Sequence, residues 1–332
     1  MRKLIASLVL SVAFAAGAHA QSGNLLNVSY DPTRELYRAY NIEFVKYWQR
    51  QSGETLTIQQ SHGGSGAQAR AVIDGMKADV VTLASEGDIN AIAQATKKIP
   101  PNWRGLLPHR STPYTSTIVF LVRKGNPKHV RDWDDLLRPG MRIVAPNPKT
   151  SGGAKWAYLA AWSYAAERFN GDEAKMKEFV GGLYRNVPML DAGARGASTT
   201  FARRGVGDVL LSWENEAFIA INELGPDKFD IVVPSLSIKA EPSVALVPGN
   251  TDAKGTTKAA QAYLEYLYSP VAQKLIARNY YRPAEPAFAD PEDLKRFPAI
   301  RFLTIDDPLL GGWLKVTPKH FAPDGVFDQI YR

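Results

Sequence analysis

Apolar residues recur along this chain with two different periods, one typical of strands and one typical of helices, and segments of the two kinds alternate. Residues 55–59 alternate strictly, as a half-buried strand does, whereas the apolar positions of residues 67–76 recur at helical spacing. Further strands are predicted at 26–30, 78–83, 116–122, 142–145, 187–190, 208–212, 231–234 and 243–248, and helices at 32–50, from 154 onwards, and at 198–204, 257–268 and 270–279. Strands that alternate with helices predict an α/β fold whose mainly parallel sheets are covered by helices.

Four junctions between a predicted strand and the next helix are suited to an anion. They lie at residues 31–32, 61–66, 146–153 and 191–196, and the last three contain glycine. Glycine lets bare backbone N–H groups approach a ligand, and the first turn of a helix leaves N–H groups without intrahelical partners. Such a helix start favours negative charge through these groups and through the helix dipole. Because ligands of open α/β sheets bind at the carboxyl ends of the strands, we expect these loops to share one site.

The first twenty residues have the composition of a secretory signal peptide. Arg2 and Lys3 precede an apolar stretch at residues 4–16, and the sequence Ala-His-Ala at 18–20 fits a small-x-small cleavage site. The apolar stretch is too short for a comfortable membrane span. We therefore expect cleavage after Ala20, export to the periplasm and a soluble, monomeric mature protein.

The composition of the rest of the chain excludes several kinds of site. The 332 residues include no cysteine, which rules out disulfides, thiolate metal sites and cysteine nucleophiles. Loss of the leader lowers the net charge from +7 to +5, and the basic residues are dispersed among acidic ones without a motif typical of nucleic-acid binding. A mature chain of this length predicts two domains or one large one.

Several motifs of the chain resemble those of the periplasmic sulfate/thiosulfate-binding proteins, which are receptors of ABC importers. They include NVSYDPTRELY, QSHGGSGAQA, PNPKTSGGAKW, DAGARG and GDVLLSWENEA, and the resemblance runs in order over essentially the whole mature chain. It implies the two-lobed type II periplasmic-binding-protein fold, in which each lobe is a mainly parallel sheet flanked by helices and one oxyanion lies in the cleft between them. Residues 21–115 and 246–332 are then expected to form the first lobe, and residues 116–245 the second.

The matching motifs also imply which residues hold the anion: Asp31, Ser65, Ser151, Gly152, Gly153, Ala194 and Trp213. In the family these positions act mainly through backbone N–H groups, joined by a serine hydroxyl (here Ser151) and an indole N–H (here Trp213). The carboxylate of Asp31 is expected to cap the following helix while its main-chain N–H faces the ligand. Arg195 and Lys155, the second of which replaces the family's usual arginine, are expected near the anion without touching it. No enzymatic activity, metal or cofactor is implied, and the implied partner is the permease of a sulfate importer.

Two other interpretations remain open at this stage. The first is a secreted serine hydrolase, because His62-Gly63-Gly64 resembles an oxyanion-hole motif of esterases. That interpretation needs a G-x-S-x-G nucleophile elbow, whereas Ala67 takes the last position around Ser65. The four histidines outside the leader (His62, His109, His129 and His320) have no metal-ligand spacing.

The second alternative keeps the fold and changes the ligand to molybdate, tungstate or phosphate. Phosphate retains a proton near pH 7, and a cradle made only of donors leaves that proton unmatched at a cost of about 1–3 kcal/mol. Sulfate and thiosulfate share charge and tetrahedral shape, so both stay open as ligands.

Overall fold

The computed structural model describes residues 23–331, which form two main sheets and two short two-stranded sheets with helices around them. The strands are β1 (Gly23–Tyr30), β2 (Leu56–Gly63), β3 (Val80–Leu83), β4 (Tyr114–Thr115), β5 (Ile118–Arg123), β6 (Ile143–Pro146), β7 (Leu190–Asp191), β8 (Val209–Trp213), β9 (Phe229–Val232), β10 (Ser237–Ile238), β11 (Ser243–Leu246), β12 (Arg282–Pro283) and β13 (Phe302–Leu303). The helices are α1 (Arg34–Ser52), α2 (Ser65–Ile73), α3 (Glu86–Thr96), α4 (Pro108–Ser111), α5 (Gly152–Arg168), α6 (Glu173–Arg185), α7 (Ala194–Ser198), α8 (Glu214–Leu224), α9 (Pro248–Lys254), α10 (Thr257–Tyr266), α11 (Pro270–Arg278), α12 (Pro291–Leu294), α13 (Trp313–Val316) and α14 (Val326–Ile330). The predicted leader and its cleavage site lie outside the described residues. Within them, no helix is long and apolar enough to cross a bilayer.

Each main sheet combines parallel strands with one strand of opposite direction, and the two short sheets pair β10 with β13 and β12 with β4. The first sheet has the order β11-β3-β1-β2, and β1 runs parallel to both β2 and β3 while β11 is antiparallel to β3. The second has the order β7-β6-β8-β5-β9, and β6 is parallel to β7 and β8 while β5 is antiparallel to β8 and β9. The predicted α/β class is thus confirmed. We call the elements around the first sheet the first lobe, and those around the second sheet the second lobe.

The chain passes between the lobes along two adjacent segments. It leaves the first lobe between β4 and β5 and returns between β10 and β11, close to the two crossings predicted near residues 116–122 and 243–248. At the crossing the N–H of Ser116 donates to the carbonyl of Ala240 (3.0 Å), and the N–H of Ala240 donates to the carbonyl of Ser116 (2.9 Å). Two extended segments tied at one residue pair are the candidate hinge for a closure motion, because the change in backbone angles would fall on few residues.

The second lobe is organised around α5, which is buried on almost every side. Its buried residues include Trp156, Tyr158, Leu159 and Trp162, which do not lie on one helical stripe. A helix that is apolar all round belongs in the centre of a protein rather than on its surface. Because α5 lies at the centre of the second lobe, its N-terminus lies at the carboxyl ends of the strands.

The C-terminal segment, residues 313–331, packs against α5 and α6. The indole ring of Trp313 meets that of Trp156 edge to face at 4.9 Å between centroids, and Phe327 packs on Tyr184 at 5.2 Å. The Nζ of Lys149 donates to backbone carbonyls of this segment. The sequence-based lobe boundaries stay a prediction. They assign this segment to the first lobe, whereas the contacts described here are with helices of the second lobe.

Four helices begin at positions other than those predicted. α2 begins at Ser65 rather than at residue 67. α5 begins at Gly152 rather than at residue 154, and α7 begins at Ala194 rather than at 198. α1 begins at Arg34 and follows a 3₁₀ turn, Asp31–Thr33. Because glycine has a low intrinsic helix propensity, the sequence pattern predicted the glycine-containing starts too late. In the structure the Ser151 hydroxyl caps α5 and tertiary packing supports its first turn.

A buried ion pair beside the hinge gives the first prediction. Both carboxylate oxygens of Glu214 accept from Arg282 at 2.8 Å, and the Glu214 side chain is 1% exposed. Burial raises the pKa of Glu214, and Arg282 opposes that shift. We expect Arg282→Met to lower the free energy of unfolding by about 3–5 kcal/mol, because it leaves a buried carboxylate without its cation. Denaturant unfolding measures this loss.

The matched control is Arg301→Met, which breaks an exposed bidentate pair with Glu167. We expect it to cost less than about 1 kcal/mol, since exposed ion pairs contribute little. Equal losses from the two variants would contradict a structural role for the buried pair.

Candidate ligand-binding site

The four predicted loops converge on one place between the lobes, and glycines permit the approach. A Cβ added to Gly64 would lie 2.6 Å from the carbonyl oxygen of Thr150, which belongs to the other lobe. One added to Gly152 would lie 2.8 Å from the Cβ of Ser65, again across the cleft. Real Cβ contacts of this length are not found, so at these positions glycine is required by the close approach of two backbones. The lobes are therefore in contact at the mouth of these loops.

Asp31 lies at the end of β1, but its side chain does not cap a helix as predicted. Residue Tyr30 occupies the cap position of the 3₁₀ turn, and no side-chain hydrogen bond caps it. The Asp31 carboxylate instead accepts from Nη2 of Arg34 at 3.0 Å. The reason is geometric, because Asp31 is already the first residue of the turn and an arginine follows three positions later. Across the cleft, a Cβ on Gly193 would lie 2.9 Å from its Oδ2.

Ser65 is the first residue of α2, and its hydroxyl is fully engaged inside the first lobe. Its Oγ donates to Oδ2 of Asp88 at 2.6 Å and accepts from the backbone N–H of Ala84 at 3.0 Å. The whole residue is 1% exposed. What Ser65 can still offer an anion is its backbone N–H, which has no intrahelical acceptor at this position.

Ser151, Gly152 and Gly153 form the cap and first two residues of α5. The Oγ of Ser151 accepts from the backbone N–H of Ala154 at 3.3 Å, which satisfies one donor of the first turn. Because a hydroxyl has one proton as well as two lone pairs, Ser151 keeps an O–H to donate elsewhere. The N–H groups of the two glycines lie at the positive end of a helix of 17 residues. This corner is thus rich in donors.

Ala194 and Trp213 complete the predicted set on the second lobe. Ala194 is the first residue of α7, and Trp213 ends β8 directly before α8. The indole Nε1 of Trp213 donates to the carbonyl of Gly153 at 3.2 Å, and its ring packs on Tyr30 of the first lobe at 5.5 Å between centroids. A small cavity is lined by Gly153, Ala194 and Trp213 together. The structure therefore brings these three residues to one point, with the indole N–H aimed at a backbone oxygen.

The two basic residues predicted near the site are both paired with carboxylates of the opposite lobe. The Nζ of Lys155 donates to Oδ1 of Asp88 at 2.6 Å. The Nη2 of Arg195 donates to Glu35 at 2.9 Å and to Glu216 at 3.1 Å. Burial alone lowers the pKa of Arg195, but the two carboxylates outweigh it and the net shift is upward. Both side chains therefore already have carboxylate partners.

Sequence reasoning missed the three carboxylates that hold these cations. Asp88 follows Ser85 by three residues, and the Ser85 hydroxyl accepts from the Asp88 N–H, so a capping signature was present but carried no hint of the cleft. In the sequence, the helix positions of Glu35 and Glu216 cannot be told from ordinary solvent-exposed positions. Burial raises the pKa of Glu216, and Arg195 opposes the shift. Only the fold identifies these residues.

The site offers hydrogen-bond donors and no titrating catalytic pair. Burial, followed by the nearby charge of Arg34, lowers the pKa of His62 to about 4, so His62 is neutral above pH 5. The partner of the Ser65 hydroxyl is Asp88, and Nδ1 of His62 has no hydrogen-bond partner. The serine–histidine contact that a hydrolase needs is thus missing here. No cluster of potential metal ligands occurs within residues 23–331.

The chain is similar in sequence to known bacterial solute-binding proteins. The family model described as bacterial extracellular solute-binding protein matches residues 18–282. The chain is 55% identical to the sulfate-binding protein of Escherichia coli K12 over 316 residues, which cover 95% of each protein. It is 47% identical to the thiosulfate-binding protein of Pseudomonas aeruginosa over 336 residues, covering 100% of this chain and 99% of the relative.

A solved structure of a sulfate-binding protein is also similar to this chain. The sulfate-binding protein SubI from Mycobacterium tuberculosis H37Rv matches with a TM-score of 0.80 and 34% identity, over 90% of this chain and 99% of that one. Similarity of this kind extends over both sheets, because it spans nearly the whole described chain.

The glycine contacts give a prediction about the contact between the lobes. In Gly152→Ala the new methyl group would lie 2.6 Å from the Cβ of Ala84 and 2.8 Å from that of Ser65, both on the opposite lobe. We expect the variant to be folded but held apart at this point, with a larger radius of gyration by small-angle X-ray scattering.

Gly105→Ala is the control, since a Cβ there meets nothing within 4 Å. It should leave the scattering curve unchanged. A Gly152→Ala variant as compact as the parent protein would mean that the loops adjust without separating.

Proposed function

The chain belongs to the family of bacterial extracellular solute-binding proteins, and we propose that it is the sulfate receptor of an ABC importer. It binds one sulfate or thiosulfate dianion between its lobes and carries out no chemistry on it. The observation that carries this proposal is the identity of 55% with a sulfate-binding protein over 95% of the chain. The convergence of four donor-rich loops at the cleft supports it independently.

Seven residues are proposed to hold the anion. Five act through backbone N–H groups, one through a hydroxyl and one through its indole N–H; they are Asp31, Ser65, Gly152, Gly153 and Ala194, then Ser151, then Trp213. The first two come from the first lobe and the others from the second. The indole N–H of Trp213 donates to the Gly153 carbonyl at 3.2 Å, so it must turn away from this acceptor to reach the anion.

Neutral donors suffice for a dianion when there are enough of them. Burial of an unpaired charge is very costly, so the site must replace nearly all of the lost hydration. Hydrogen bonds to charged partners contribute roughly 1.5–3 kcal/mol each. The dipoles at the starts of α2 and α5 add about 0.3–2 kcal/mol apiece. No free cation is required, which agrees with the pairing of Lys155 and Arg195 to carboxylates.

The same donors disfavour phosphate. A protonated oxyanion needs an acceptor for its O–H, and the carboxylates beside these loops already have partners. Asp88 accepts from Ser65, Ser85 and Lys155, and Asp31 accepts from Arg34. A buried O–H without an acceptor costs about 1–3 kcal/mol. Sulfate and thiosulfate carry no such proton at neutral pH, and relatives of both names resemble this chain.

The proposed biological setting follows from the family. The mature protein, cleaved after Ala20, works in the periplasm as a monomer and delivers its anion to a membrane permease. Ligand favours the closed arrangement because its donors come from both lobes, and release follows when the permease reopens them.

Isothermal titration of the purified mature protein tests the function. We expect saturable, one-to-one binding of sulfate and thiosulfate without added metal or nucleotide, and much weaker binding of phosphate. Affinity for sulfate should change little between pH 5 and pH 8, because His62, with a pKa of about 4, stays neutral over that range. A steep loss of affinity within this window, or no heat of binding with either sulfur oxyanion, contradicts the proposal.

Ser151 provides a test of the site itself. We expect Ser151→Ala to weaken sulfate binding by roughly 1.5–3 kcal/mol, because it removes a hydroxyl donor to a charged ligand. The control is Ser163→Ala on the same helix, where the hydroxyl is buried and has no hydrogen-bond partner. Titration of both variants should separate them by at least tenfold in Kd, and similar affinities would remove Ser151 from the site.

A further inference from the structure

Lys149 lies in the loop that leads into α5, and its side chain is bound by the C-terminal segment. Its Nζ donates to the carbonyls of Phe321 and Ala322, at 3.1 and 3.0 Å, and to Oδ2 of Asp328 at 2.7 Å. An ammonium group has three N–H donors, so each of them has an acceptor within one short stretch of chain. The acceptors lie 172 to 179 residues away in sequence, and only the fold brings them to this loop.

We propose that Lys149 is a positioning residue of the receptor. It fixes residues 147–151, which we call the anion turn, against the C-terminal segment, and it thereby holds the start of α5 in place without touching the anion. The inference rests on the proposed function, because Ser151, Gly152 and Gly153 are donors to the anion in that proposal. It adds a role for residues 321–328, which supply no donor to the anion.

The anion turn is closed by hydrogen bonds around Asn147. The Asn147 carbonyl accepts from the N–H groups of Thr150 and Ser151, at 3.1 and 2.8 Å. Its side-chain Oδ1 accepts from the N–H of Lys149 at 2.9 Å. These bonds fix the shape of the turn but not its place in the lobe. They also occupy the N–H of Ser151, which leaves the hydroxyl as the donor that this residue can offer to a ligand.

Two sets of contacts fix the place of the anion turn in the second lobe. In the first set, the Thr150 hydroxyl donates to the carbonyl of Ala192 at 2.7 Å, and the Asn147 N–H donates to that of Asp191 at 2.7 Å. These bonds join the turn to the loop before α7. The second set is formed by the three bonds of Lys149, which join the turn to the C-terminal segment. Loss of Lys149 removes the second set and leaves the first.

The C-terminal segment is a firm support because it is packed on α5. His320 is 2% exposed, and its Nδ1 lies 2.9 Å from the hydroxyl of Tyr158. The ring of Phe321 packs on that of Tyr158 at 5.3 Å between centroids. The carbonyl of Phe321, which accepts from Lys149, therefore belongs to a residue that is itself held in place by the body of the lobe.

The position of the anion turn matters because the first lobe comes close to it. A Cβ on Gly64 would lie 2.6 Å from the carbonyl oxygen of Thr150, and one on Gly66 would lie 3.5 Å from that of Lys149. A shift of the turn toward the first lobe would make backbone atoms overlap, and a shift away would withdraw the start of α5 from the cleft. Hydrogen bonds weaken steeply with distance and angle, and a turn fixed in advance lowers the ordering cost of binding.

Titration with sulfate and amide hydrogen exchange, both on the full mature chain, test this role. Lys149→Met keeps a side chain of similar length and removes the donors, and Lys149→Arg is the conservative replacement. The control is Lys319→Met, which removes the same charge from the C-terminal segment. The Nζ of Lys319 pairs with Glu173 on α6 at 3.2 Å, and the two side chains are 47% and 48% exposed.

We expect Lys149→Met to weaken sulfate binding on the order of tenfold, a coupling of ordinary size between two sites. In the ligand-free protein, exchange should become faster at residues 147–153 and stay unchanged in β5 and β8, because the loosening is local. Lys149→Arg, which keeps a cation with several N–H donors, should lie nearer to the parent in both measurements. Lys319→Met should leave both unchanged.

Thr150→Val carries the test if Lys149→Met does not fold. It removes the hydroxyl bond to the Ala192 carbonyl and keeps the branched shape of the side chain. Because this bond belongs to the first set of contacts of the anion turn, we expect faster exchange at residues 147–153 and weaker sulfate binding here as well. Exchange and affinity equal to those of the parent would overturn the proposal.

The proposal is overturned if Lys149→Met binds sulfate as tightly as the parent, or if Lys319→Met loses as much affinity. It is also overturned if the affinity of Lys149→Met falls while ligand-free exchange at residues 147–153 stays the same, since Lys149 would then act on the anion directly. Failure of the parent protein to bind sulfate or thiosulfate would instead refute the proposed function, and exchange in the ligand-free variants would still decide whether Lys149 fixes the turn.

Discussion

An anion removed from water must be given hydrogen-bond donors on every side, and no single element of this fold can supply them. The first turn of one helix offers a few N–H groups that point in one direction. Full coverage requires several helix starts that face one another, which means that backbones of different lobes must approach closely. The glycines at 64, 152 and 193 mark the places where this approach leaves no room for a side chain. Closure and coordination are therefore one geometric requirement.

The proposed closure needs a hinge, and the crossing between the lobes is the candidate for it. Two extended segments meet at the Ser116–Ala240 pair, and the lobes have sheets of their own on either side of it. The buried Glu214–Arg282 pair lies beside these segments and fixes the start of α8 against β12. A buried ion pair beside the crossing would confine a closure motion to few residues, with each lobe moving as a body. The aromatic contacts of the C-terminal segment with α5 and α6 add to the rigidity of the second lobe.

The charged side chains between the lobes are paired with one another. Asp88 and Glu35 on the first lobe face Lys155 and Arg195 on the second, and the cations are satisfied by carboxylates. A cation with a carboxylate partner is a poor direct partner for a second anion. In the proposed site the dianion is held by neutral N–H and O–H groups, which do not titrate near neutral pH and which offer no acceptor to a ligand that brings its own proton. The selectivity and the pH independence that we expect thus have the same physical origin.

Much of this molecule could be predicted from the order of its residues. Alternating strand and helix periods, capping serines and glycine-containing turns are encoded within a few neighbouring positions, so the α/β class, the two crossings and the four loops were all recognisable. Resemblance of short motifs to a known family supplied the ligand class and the candidate donors. Helix starts were predicted less well, because glycines with low propensity are held in α5 and α7 by packing that local sequence does not contain.

Tertiary structure alone decided which charges meet. Lys155 and Asp88 are 67 residues apart in sequence, and Arg195 and Glu35 are 160 apart. The residues next to Asp88, Glu35 and Glu216 do not distinguish them from solvent-exposed carboxylates, so the sequence did not identify them. Asp31 was predicted to cap a helix, whereas its carboxylate accepts a hydrogen bond from Arg34. The physical reason is that backbone conformation depends mainly on near neighbours, whereas an ion pair depends on where two distant helices are brought together by the fold.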